Sequence, residues 1–266
     1  MGSDIKTLRT RIKSVTSTLQ LTRAMGLVAS SKIRKATQRM LEGRDYDQAM
    51  GQLLTLLTAC PECRRSPYMQ EREGKTLLVV IAGDRGLAGG YNANVFRAAK
   101  EYADAEILPI GKRACDRFGG EVRLCEKMDA ATAYPLATEL CRRYAAGEFT
   151  RLGILYTQYV SMMSQVPEIR WVLPLQKPEN VPSTAVLFEP DEAAILNTAV
   201  PEYVTGAIMA AVRESYACEV VARRMAMDSA GKNASEMIAD LQLQYNRARQ
   251  GSITQEITEI VAGANA

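Results

Sequence analysis

Helix-compatible sequence runs unbroken over about fifty residues from Asp4 and over some sixty residues at the end of the chain, and this feature constrains the fold most. At ~1.5 Å rise per residue these are rods of roughly 80 and 100 Å, whereas about 20 residues already cross a small domain. Helices of this length overhang any globular part that the rest of the chain makes. Something outside the chain is needed to cover them.

The first helix carries an apolar seam at Ile5, Leu8, Ile12, Val15, Leu19, Thr22, Gly26, Ala29, Ile33, Ala36 and Met40, spaced by alternating threes and fours. That spacing keeps one face toward a partner helix. Thr22, Gly26 and Ala29 are small, so two backbones are expected to approach closely there, offsetting the ~1 kcal/mol that a helical glycine costs. The pattern fades after Leu57, and Pro61 stops the helix. The second helix follows Glu189-Pro190, with Asp191 as its cap, and repeats the seam at Met227, Gly231, Ala234, Ile238, Leu241, Tyr245 and Ala248. Two such helices at opposite ends of one chain pair antiparallel most simply, and the longer C-terminal one is expected to run past its mate.

Between them the grammar changes. Residues 76–82 (TLLVVIA) form a continuous apolar run of the kind a fully buried strand needs. A glycine-rich turn, a helix at 93–102, a strand at 107–110, a helix at 113–118, a strand at 122–124, a helix at 135–145 and strands at 152–156 and 168–173 follow. This alternation predicts a Rossmann-like α/β domain with a mostly parallel sheet. The organisation expected is an N-terminal coiled-coil helix (1–60), an α/β domain (75–175) and a C-terminal coiled-coil helix (190–266), with a linker from 174 to 190.

Composition narrows the function classes. The net charge is only +3, but residues 4–44 hold ten Lys and Arg against Asp4 and Glu42. The local excess is eight, which leaves the remainder at −5. A basic helix serves nucleic acid, an anionic surface or an acidic protein partner, or is a solvated face. Tyr46 is the sole aromatic of the first 60 residues, so the stacking platform of a single-strand binder is missing. No apolar run is read as long enough to cross a membrane. No leader is read either: Lys6, Arg9, Arg11 and Lys13 lie on a helical pattern with no apolar core behind them, and a bacterial cytosolic address is expected.

The turn at 83–92 (GDRGLAGGYN) invites a nucleotide reading, yet its glycines fit neither the dinucleotide fingerprint nor the phosphate loop. Asp84 also stands where a pyrophosphate would be repelled. Asp84 and Arg85 either pair within the turn or present charge to a partner. The chain has no histidine, so the commonest general base is missing and no catalytic or metal constellation is legible. Cys60 and Cys63 form one Cys-x-x-Cys, a weak zinc signal without a second pair. A surface turn with reduced thiols is expected there, and Cys115, Cys125, Cys141 and Cys218 read as core residues.

Three stretches carry a family resemblance: IKTLRTRIKSVTSTLQLTRAMGLVASSKIRKA near the start, DRGLAGGYN in the turn, and LQLQYNRARQGSITQEITEIVAGANA at the end. Together they resemble the gamma subunit of bacterial rotary F-type ATP synthase. The family's C-terminal signature is met by Ile253, Thr254, Glu256, Glu259, Gly263 and Ala264. Departures are small: Gly83 and Ala88 replace the Ser or Thr and the Cys frequent in relatives, and the dithiol insert of the chloroplast form is absent.

The resemblance implies a non-catalytic central rotor shaft, with the antiparallel coil inside a hexamer of alpha and beta subunits. The α/β domain is then expected beside the epsilon subunit and the c-subunit ring. It further implies no cofactor, metal or nucleic acid, and a peripheral place on the cytoplasmic side of the cell membrane, reached only through the ring. Met25, Lys32 and Arg34 resemble residues facing the beta-subunit loops, and Arg223, Gln250 and Thr254 resemble the upper contact with the hexamer. Glu256, Ile260 and Val261 of the tip, and Asp84 and Arg85 of the turn, complete the expected contact residues. Two other readings stay open: a nucleotide-binding α/β enzyme and a coiled-coil nucleic-acid binder.

Overall fold

The computed structural model describes residues 2–177 and 188–264. The elements in chain order are α1 (Gly2–Ala59), β1 (Thr76–Ile81), α2 (Tyr91–Ala99), β2 (Glu106–Ile110), α3 (Lys112–Phe118), α4 (Ala130–Ala145), β3 (Arg151–Tyr159), β4 (Gln165–Leu173) and α5 (Glu192–Ala264). They group into two compact units, one of residues 1–30 with 223–266, the other of residues 31–222.

In the larger unit the strands lie in the order β2-β1-β3-β4. β1 pairs parallel with β2 and β3, and β4 closes one edge antiparallel to β3. The apolar run of β1 is explained by burial on both faces. Leu77, Val79 and Ile81 point into a core shared with Leu57 of α1, Leu140 and Tyr144 of α4, and Leu196, Val200, Val204 and Ile208 of α5. Leu78 and Val80 point the other way, onto Val95 and Ala99 of α2 and Ala114 of α3. At ~1.5 to 3 kcal/mol for each large apolar side chain buried, these two cores hold the unit together.

The expected elements appear, with corrections at two of them and at the thiols. Residues 122–124 are not a strand. Gly119 and Gly120 turn the chain with φ of 82° and 96°, and the extended segment then makes a single bridge, from the Gly111 N–H to the Arg123 carbonyl at 2.6 Å. The helix expected from Pro135 starts earlier, at Ala130, because Asp129 accepts from the Thr132 N–H at 2.9 Å in a capping box. Pro135 sits inside it. The third correction concerns the thiols: all six cysteines are free, but Cys63 is fully buried in the larger core instead of lying on a surface turn. Burial raises its pKa to about 11, and raises those of Cys141 and Cys218 to about 12.

α5 begins as expected, with the Asp191 carboxylate accepting from the Ala194 N–H at 2.8 Å. Part of the 174–190 linker falls outside the described residues. Contrary to the sequence expectation, α5 does hold one 18-residue window apolar enough to cross a membrane. That window is 61% buried within the protein, as befits a core helix.

In the smaller unit the two seams meet. Gly26 lies against Met227 and Arg224, and Gly231 against Thr22 and Leu19, so the partner number rises as the first falls and the pairing is antiparallel. Every seam residue of α1 in this unit, from Ile5 to Ala29, is buried or half-buried, as are Ile33, Ala36 and Met40 in the larger unit. A Cβ built on Gly26 meets its nearest atom at 3.5 Å, ordinary contact, so this crossing does not demand glycine. Extending the register places the start of α1 opposite residues 248–252. Ser252 is the last α5 residue with partial cover, and residues 253–264 are all exposed.

Candidate functional site

The tip of α5 is the barest stretch of structure. Ile253, Ile257, Ile260 and Val261 recur at helical spacing and are 46%, 57%, 71% and 54% exposed. Its polar side chains turn back on their own helix. Thr254 donates to the Gln250 carbonyl at 2.9 Å, Thr258 to the Thr254 carbonyl at 2.8 Å, and Ser252 to the Glu256 carboxylate at 3.3 Å. These bonds tie the hydroxyls back to the helix, while the Glu256 and Glu259 carboxylates stay exposed beside the stripe. A smooth apolar stripe that the chain itself does not cover is a surface for something else to cover.

The basic face of α1 is solvated as the sequence allows, with Arg34 exposed and Met25 half-buried; on α5, Arg223 is half-buried. Lys32 behaves differently. Its ammonium donates to Glu126 at 2.8 Å, and the same oxygen accepts from the Tyr216 hydroxyl at 3.2 Å. Arg85 approaches the other Glu126 oxygen at 3.7 Å. The hydrogen bond from Lys32 holds the Glu126 carboxyl below its ordinary value, and that bond likewise raises Lys32.

Asp84 is turned inward. Its carboxylate accepts from the backbone N–H groups of Lys112 at 3.2 Å, Cys125 at 3.0 Å and Glu126 at 2.9 Å. It thereby caps α3 and fixes the residues after the 121–124 segment. The Gly83 N–H is taken by the Asn92 side chain at 2.8 Å. Of the turn's own amides, that of Gly83 is therefore spent on a side chain of the protein.

Lys32, Asp84 and Arg85 thus converge on residues 125 and 126, far from them in sequence, while Thr254, Glu256, Ile260 and Val261 share the bare tip and Gln250 lies just before it. Sequence reasoning missed Glu126 and Tyr216, and also Asp47 of α1 and Arg170 of β4, whose side chains form a bidentate pair with both bonds at 2.8 Å. Each partner lies some 90 to 120 residues from its mate, so one sequence carries no local signal for either pairing.

Terminal helices paired antiparallel, an inserted α/β domain, and a bare helix end define a subunit that works through its surfaces. Residues 4–266 match the family model described as ATP synthase. The ATP synthase gamma chain of Ruminococcus albus is 38% identical over 97% of this chain and 96% of its own length. That of Pelotomaculum thermopropionicum is 37% identical over 98% of each. Among solved structures, the rotor of Euglena gracilis mitochondrial ATP synthase superposes with a TM-score of 0.66 at 18% identity, covering 95% of this chain and 100% of that one. A chain of the OSCP/F1/c-ring assembly of the same enzyme gives 0.70 at 19% identity, covering 100% and 95%; both show the shared fold. The chain belongs to the ATP synthase gamma chain family. Its role is that of a non-catalytic rotor subunit.

Proposed function

We propose that this chain is the central shaft that couples ion flow through a ring of c subunits to ATP synthesis or hydrolysis in a hexamer of alpha and beta subunits. The observation that carries this reading is the tip of α5: twelve residues without a mate in the coil, presenting an exposed stripe of Ile253, Ile257, Ile260 and Val261. In water such an end frays, because terminal turns lack partners. An apolar sleeve at the top of the hexamer covers the stripe and lets the helix turn without breaking directional bonds. Gln250, Thr254 and Glu256 lie at the rim of that sleeve, and Arg223 and Met25 lie further down.

In the same reading Arg34 and the other exposed cations of α1 meet acidic loops of the beta subunits. The α/β domain sits beside the epsilon subunit and the ring, which gives the chain a peripheral place on the cytoplasmic side of the cell membrane. Asp84 supports its own fold rather than a partner. Arg85 and Lys32 gather around Glu126 and can reach outward only from there.

Reconstitution tests the proposal. Alpha and beta subunits mixed with this chain are expected to sustain steady ATP hydrolysis, and the chain alone to hydrolyse none. Appreciable ATPase activity in the purified single chain, or no effect of adding it to alpha and beta subunits, contradicts the proposal.

A further inference from the structure

A shaft must pass torque from its α/β domain into its two helices; interdigitated apolar packing transmits strain, but the hydrophobic effect behind it is non-directional. Directional bonds that hold the domain and both helices at one point resist sliding. Among the described residues the larger unit contains at least three such points, two of which carry the inference. At the first, Arg170 of β4 grips Asp47 of α1 through two parallel bonds of 2.8 Å while its guanidinium lies 5.7 Å from the ring centre of Tyr203 on α5. Both charged side chains are about 70% covered, at 30% and 26% exposure. Burial opposes the charge on Arg170, and the bonds from Asp47 more than offset it, so its pKa is raised. At the second, Glu126 of the domain accepts from Lys32 of α1 and from Tyr216 of α5 on one oxygen, while Asp84 holds its backbone N–H at 2.9 Å.

Lys32 and Asp47 lie fifteen residues apart on α1, about 22 Å along the helix axis. Between these levels Glu214 of α5 accepts from the Tyr159 N–H of β3 at 2.9 Å and lies 3.7 Å from Arg44 of α1. The attachments are therefore spread along the helices, and twisting the domain against them strains separate bonds at once. Charge-assisted, bidentate bonds are the stronger and more geometrically exacting kind.

We propose that Arg170 with Asp47, and Glu126 with Lys32 and Tyr216, are torque anchors: positioning residues that lock the α/β domain to both helices under load. This inference rests on the shaft reading above.

The test uses the complete complex in vesicles and reads ions pumped per ATP hydrolysed, beside load-free ATPase of the complex with alpha and beta subunits. The double variant Arg170→Met with Glu126→Ala is expected to keep load-free ATPase near wild type but at least to halve pumping per ATP. Val95→Ala, a buried change in α2 away from both anchors, serves as the control that lowers stability with the anchors intact, and is expected to leave the pumping ratio unchanged. Asp47→Arg combined with Arg170→Asp is expected to recover part of the loss seen in Arg170→Met. If the double variant fails to assemble, Arg170→Lys and Glu126→Gln are each expected to lower pumping against a gradient. Pumping per ATP equal to wild type in the variants that assemble, or a fall matched by Val95→Ala, overturns the anchors. A wild-type chain that supports no ATPase at all overturns the shaft reading instead.

Discussion

At the scale of single residues, the chain uses glycine and acidic side chains for tasks that composition does not reveal. Gly111 has φ of +93°, and a Cβ there would lie 1.9 Å from the Ala82 carbonyl oxygen. Backbone cannot yield as a side-chain end can, so Gly111→Ala is expected to destabilise by about 3 kcal/mol or more in denaturant unfolding. Gly26→Ala is expected to be neutral or to stabilise by up to about 1 kcal/mol, because its Cβ finds ordinary contacts and helix propensity improves. Asp84→Ala orphans three backbone N–H groups and is expected to cost about 2 kcal/mol. Glu126 supplies a pH signature. Its folded pKa lies below its ordinary 4.5, so the stability it contributes is present above that pH and is lost as pH falls through the lowered value. Acid unfolding followed by circular dichroism is expected to show a smaller loss of stability below pH 4.5 in Glu126→Gln than in wild type.

At the scale of elements, the tip of α5 separates stability from function. Ile260 and Val261 touch little in the chain itself, so Ile260→Asp and Val261→Asp are expected to leave the unfolding of the isolated chain within about 0.5 kcal/mol of wild type. In the complex with alpha and beta subunits the same changes are expected to cut assembly yield or ATPase rate far more than Ile260→Ala or Val261→Ala, because an unpaired charge in an apolar sleeve carries a desolvation cost of several kcal/mol. Equal behaviour of Asp and Ala variants would remove the sleeve from the account. The seams of α1 and α5 and the strands β1, β2, β3 and β4 were legible because each follows from a period of apolar residues that local sequence displays. The 121–124 segment was misread because apolar Val122 and Leu124 suggest a strand, whereas Gly119, Gly120 and the pull of Asp84 on residues 125 and 126 decide its path. The hub at Glu126 and the Asp47–Arg170 pair were illegible for another reason: their partners are joined by the fold and not by spacing.

At the scale of the whole molecule, the proposed shaft role requires the chain to receive force at one place and deliver it at another. Under that proposal the charge on α1 faces a partner, and Arg34 is exposed in the free chain. Lys32 is a poorer reporter, because reversing it also breaks the bond to Glu126. Arg34→Glu is therefore expected to lower the ATPase rate of the reconstituted complex more than Lys100→Glu on the α/β domain does; equal effects would mean that the basic face is only solvated. The most direct measurement of the central claim fixes the hexamer of alpha and beta subunits to a surface and follows an optical probe attached to the α/β domain while ATP is hydrolysed. The account predicts that the probe turns continuously in one direction, at a rate that follows ATP turnover. ATP hydrolysed at full rate with a stationary probe would contradict it.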